Sequence, residues 1–89
     1  MIVIVNHNIQ DPDAFWSIVK KNEPIPSHLH LLSVYPSQNM LRSVCVWEAQ
    51  SPEAVNEFLR NTFGNISKDE LYEVNEKAAM GLPLMSGTA

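Results

Sequence analysis

The sequence predicts one α+β domain in which elements follow as strand, helix, strand, strand, helix, strand. Three observations carry that expectation. Short β-branched or apolar runs recur at residues 2–5, 28–35, 41–47 and 71–75. Two stretches with apolar residues at helical spacing, each opened by a capping residue and a proline, stand between them. The third observation is an internal echo. Val3-x-Val5-x-His7 and then Gln10-Asp11-Pro12-Asp13-Ala14-Phe15 matches Val44-x-Val46-x-Glu48 and then Gln50-Ser51-Pro52-Glu53-Ala54-Val55. Two copies of strand-plus-helix are the content of a split βαβ sandwich, so the expected architecture is ferredoxin-like: four antiparallel strands with two helices on one face.

Each element has its own grammar. Ile2-Val3-Ile4-Val5 is β-branched throughout and reads as a strand buried on both faces, ending at Asn6-His7. Asp11 is a helix N-cap, Pro12 fits the first helical position and Asp13 suits the first turn. Phe15, Ile18 and Val19 make the apolar stripe, and Pro24 and Pro26 forbid continuation. The runs from His28 to Tyr35 and from Leu41 to Trp47 form a hairpin around the turn cluster Pro36-Ser37-Gln38-Asn39. Ser51-Pro52-Glu53 repeats the helix start, with Val55, Phe58, Leu59 and Thr62/Phe63 as stripe and Gly64 as stop. A short last strand is expected over 71–75. Residues 1–75 are the domain and 76–89 a tail, with a helical turn at Lys77-Ala78-Ala79-Met80, that docks on the domain or on a partner subunit.

Composition narrows the function. Of 89 residues, 45% are hydrophobic and 18% charged, with six Pro and three Gly, which is globular rather than disordered. A net charge of −4, with six Lys plus Arg against ten Asp plus Glu, offers no basic face for nucleic acid. One cysteine excludes an internal disulfide framework and a cysteine-rich zinc module. No apolar run approaches the roughly 18 residues of a membrane helix. The first strand starts without a basic leader, so the cytoplasm is the expected address and no membrane partner is expected.

The strands are apolar on both faces: Ile2 and Ile4 oppose Val3 and Val5, Leu29 and Leu31 oppose Leu32 and Val34, and Val44 and Val46 oppose Leu41, Cys45 and Trp47. Two helices cover one face only. Monomers rarely leave such a patch in water. A second copy, sheet against sheet, is the expected cover, making a homodimer. The alternative cover is the tail, through Leu82, Leu84 and Met85.

That order and the doubly apolar sheet resemble the dimeric α+β barrel superfamily, in which two such sheets close a barrel. The stretch Ser43-Val44-Cys45-Val46-Trp47-Glu48-Ala49, with Ser51 and Glu53-Ala54-Val55, then Glu70 and Glu73-Val74, is similar to a group of small uncharacterised domains. Some members of that group are described as nickel-binding. The fold-level likeness covers about residues 1–75. It implies a dimer and, through those members, a bound metal.

The histidines lead the candidate site residues. His28 and His30, two apart on a strand, point to one face, and with Glu48 they make a candidate set for nickel or zinc. Hairpin register decides their neighbours. If Tyr35 pairs with Met40, His28 and His30 face Trp47 and Cys45; a slip of one gives Glu48 and Val46 instead. The first register is preferred because it keeps the apolar face clean. The bland alternative leaves His28 in water and His30 packed or hydrogen-bonded.

His7 is a candidate base at a barrel mouth, or a strand-end residue bonded to the next loop. His30 and Glu48 are the other base candidates, and Trp47 and Tyr72 are candidate cavity walls. Cys45, in an apolar strand with no cation nearby in sequence, reads as an inert buried thiol. No Ser/His/Asp arrangement, phosphate loop or calcium loop is present in the sequence.

Three function classes follow. The first expectation is a small dimeric binding protein holding a metal ion or small molecule near the sheet edge or the dimer seam. The second is a cofactor-independent enzyme, monooxygenase- or isomerase-like, with a histidine base in a cavity. The third is a non-catalytic interaction module. A closed cavity containing a buried histidine with a raised or lowered pKa separates the enzyme from the others.

Overall fold

A computed structural model describes residues 1–21 and 24–81. Its elements are β1 (Ile2–Ile9), α1 (Pro12–Lys20), β2 (His30–Pro36), β3 (Arg42–Glu48), α2 (Pro52–Phe63) and β4 (Ser67–Glu73). The four strands form one antiparallel sheet in the order β2-β3-β1-β4, an α+β arrangement compatible with a ferredoxin-like sandwich. No helix among the described residues is long and apolar enough to cross a membrane.

Both helices start where the capping chemistry requires. The Ala14 backbone N–H donates to Asp11 Oδ1 at 3.2 Å, and the Ala54 N–H donates to Ser51 Oγ at 3.2 Å. Pro12 and Pro52 occupy the first turns, where an N–H would lack a partner anyway. At the end of α2, Gly64 adopts φ 57°, a conformation costly to any residue with a Cβ, and its N–H donates to the Arg60 carbonyl at 3.0 Å. The helices lay Phe15, Val55, Leu59 and Phe63 on Val3, Val5, Cys45 and Trp47, which form the core side of the sheet.

Strand boundaries depart from expectation where polar residues lie in ladders. β1 runs on through Asn6, His7 and Asn8 to Ile9, and β4 begins at Ser67, four residues before the first apolar position expected. The two polar stretches pair with each other, His7 opposite Asp69 and Asn8 opposite Lys68.

The hairpin takes neither expected register. Tyr35 lies opposite Val44, and His30 opposite Glu48. Two causes act. The loop is longer than the turn cluster suggests: the Ser37 N–H reaches the Arg42 carbonyl at 2.8 Å, Asn39 Oδ1 accepts from the Leu41 N–H, and Met40 takes φ 63°. The ladder then shifts between Leu31 and Ser33, a bulge that inserts Leu32. Through this bulge Leu31 and Val34, expected on opposite faces, both border the helix side of the sheet.

The other face carries Ile4, Val44, Val46 and Tyr72. The stretch after β4 lies along it: Ala78, Ala79, Met80 and Gly81 border a groove with Ile2, Val46 and Tyr72. Its turn forms one step early, with the Ala79 N–H donating to the Asn75 carbonyl at 3.0 Å. Leu82, Leu84 and Met85, the expected covering residues, lie outside the described residues.

Candidate functional site

Between the helices and the sheet lies a half-enclosed cavity of ≈ 110 Å³. One water needs only about 10–15 Å³ of such space, and an apolar cavity not much larger, about 150 Å³, admits a benzene ring. The walls are Phe15, Phe58, Phe63 and Trp47 with aliphatic side chains, and Val19, Ile25 and Leu31, each partly in solvent, form its rim. Phe15 and Phe63 stack with ring centroids 4.6 Å apart, and Trp47 meets Phe58 edge-on at 5.8 Å.

His7 borders this apolar space and is only 2% exposed. Strand alternation from Val3 and Val5 sends its side chain to the helix side. There its ring stands edge-on to Phe15 at 5.2 Å. Its Nδ1 lies 2.6 Å from Asp69 Oδ1, and the Ser67 hydroxyl donates to that same oxygen at 2.8 Å. Burial favours the neutral ring. The Asp69 carboxylate and the Cys45 thiol outweigh it and raise the His7 pKa from 6.5 to about 9. At neutral pH the ring therefore carries both protons, one donated to Asp69 and one on Nε2.

Register explains the assembly. His7 on β1 has Ser43 of β3 opposite it on one side and Asp69 of β4 on the other, so three polar residues make a row across the core face. The next row holds Val5 and Cys45, and the one beyond holds Val3 and Trp47. Cys45 is thus buried but not isolated from a cation, since the His7 imidazole is its neighbour. Two buried polar atoms among the described residues have no hydrogen-bond partner: Ser43 Oγ and Trp47 Nε1.

The sequence-named candidates divide between the faces. His7 and Trp47 both border the cavity. Tyr72 is on the opposite face, 53% exposed, in the groove beneath the stretch after β4. His30 and Glu48 are cross-strand partners, while His28 sits exposed in the turn before β2. His7 is at the other end of the sheet, so the three histidines do not converge. Among the described residues no group of three or more His, Cys, Asp or Glu side chains is placed to hold a metal ion.

Asp69 is the residue that sequence reasoning missed. The signal was present as alternation, Ser67-x-Asp69-x-Leu71, with every second side chain on one face. Comparison with family models, with curated proteins and with solved structures finds no match to this chain.

Proposed function

We propose that this chain is a cofactor-independent acid–base enzyme, isomerase-like in its chemistry, acting on a small apolar carbonyl compound. The observation that carries this reading is the buried His7–Asp69 pair, whose His7 ring borders a largely apolar cavity. A buried ion pair is a poor way to stabilise a core, because apolar residues of similar volume do as well or better. Its place beside a cavity lined by aromatic and aliphatic side chains supports a chemical role for it. With His7 charged at neutral pH, its first act is donation: its ring N–H protonates the ligand carbonyl oxygen while a water at the open mouth of the cavity takes the α-proton, which gives the enol and a neutral ring. The neutral ring then takes the enol O–H proton back as solvent returns a proton to the α-carbon, which restores the ketone and the charged ring. Asp69 fixes the ring through Nδ1 and stabilises its charged form.

The test is deuterium exchange at the α-carbons of cyclohexanone in D2O, followed by proton NMR. Wild-type protein should accelerate exchange above buffer. His7→Gln should lose about 10²-fold of that acceleration, the lower end of what positioned acid–base groups contribute. Exchange at the buffer rate with wild type would overturn the enzyme reading and leave a binding protein.

The second part of the proposal is a homodimer formed through the sheet face away from the helices, as in a dimeric α+β barrel. Tyr35 and Tyr72 support it, standing 61% and 53% exposed on that face.

A further inference from the structure

The cavity has two polar features besides the Cys45 thiol and the Thr62 hydroxyl, and both are donors. One is the His7 ring, whose Nδ1 is held by Asp69 and whose other hydrogen-bonding neighbour is the Cys45 thiol, a weak acceptor that a ligand carbonyl would replace. The other is Trp47, only 3% exposed, whose indole Nε1–H has no partner among the described residues. An indole nitrogen is a donor only, and a buried donor left unpaired is costly. The two residues lie two rows apart on neighbouring strands, roughly 13 Å along the ladder at about 3.3 Å per residue. Val5 and Cys45 lie in the row between them, and Phe58 packs against the Trp47 ring. Such a space suits a flat molecule with an acceptor at each end and no amine.

We infer that Trp47 is a ligand-binding residue, and that the ligand carries a second hydrogen-bond acceptor, of the carbonyl or lactone kind, opposite the carbonyl addressed by His7. This rests on the cavity reading given above. It adds a specificity that proton transfer at His7 does not require. Binding would supply Trp47 Nε1–H with the acceptor it lacks among the described residues, so a ligand with only one oxygen forgoes that hydrogen bond and binds less well. A cationic ligand is disfavoured by the charged His7 ring.

The discriminating pair of probes is 1,4-cyclohexanedione and 4-methylenecyclohexanone, which have nearly the same shape and differ in one terminal atom, oxygen against CH2. Partition from water favours the hydrocarbon end, so an apolar wall would prefer the methylene compound. Calorimetric titration of wild type should show the dione binding about 3- to 10-fold more tightly, the range of one net hydrogen bond. In Trp47→Phe that preference should vanish or reverse, with the affinity of the methylene compound little changed. Infrared spectra of the bound dione should show two carbonyl stretches lowered from their values in hydrocarbon solvent, so the wild-type protein alone decides the matter if Trp47→Phe fails to fold. Equal or weaker binding of the dione to wild type overturns the role of Trp47 while leaving the cavity and His7 chemistry standing. Binding of neither compound overturns both.

Discussion

His7 shows how one side chain acquires its character from its neighbours. On β1 it stands between Asn6 and Asn8, and nothing in the residues beside it in sequence marks it as charged. The carboxylate that charges it lies 62 positions away. That coupling ties stability to pH. The folded pKa is about 9 and that of the unfolded chain is near 6.5, so the folded state binds the proton more tightly. The stabilisation is complete below pH 6.5 and is lost as pH rises through 9. Melting temperatures of wild type should therefore fall between pH 6.5 and 9. Asp69→Asn should melt lower at pH 6.5 and show a shallower fall over that window. Parallel curves for the two proteins would mean that His7 is not held charged by Asp69.

At the scale of elements, the helices were the most legible part of the sequence. Asp11-Pro12 and Ser51-Pro52 set both starts, because a side-chain oxygen that can satisfy an orphan N–H acts locally. Ser51→Ala should cost about 1 kcal/mol in urea denaturation at neutral pH, with no change in the slope of the transition. Strand ends were less legible. Ser67-Lys68-Asp69-Glu70 has the polarity of a loop and becomes a strand because β1 offers it a ladder. The hairpin register was least legible, since a five-residue loop and a bulge both depend on contacts that composition does not reveal. This explains why His7 and Trp47 could be named as candidates while Asp69 and the closeness of Cys45 to His7 could not. The former are properties of residue type, and the latter are products of register.

For the molecule as a whole, the two faces of the sheet have different fates. One is closed by helices around the cavity. The other is partly covered by the stretch after β4, leaving Tyr35 and Tyr72 in solvent. Sedimentation at micromolar concentration should give a species of two chains, and Tyr35→Lys with Tyr72→Lys should give one. A monomeric wild type would overturn the dimer. The sheet's edges, by contrast, resist company. β2 is an outer strand, and the bulge at Leu32 breaks its line midway while Pro36 removes a donor at its end. β4, the other outer strand, carries Lys68, Glu70 and Glu73. The same inserted residue that brings Leu31 and Val34 to the cavity also spoils β2 as a template for a stray strand. Deleting Leu32 would do two kinds of harm at once, emptying the rim of the cavity and straightening an edge on which chains could stack into aggregates.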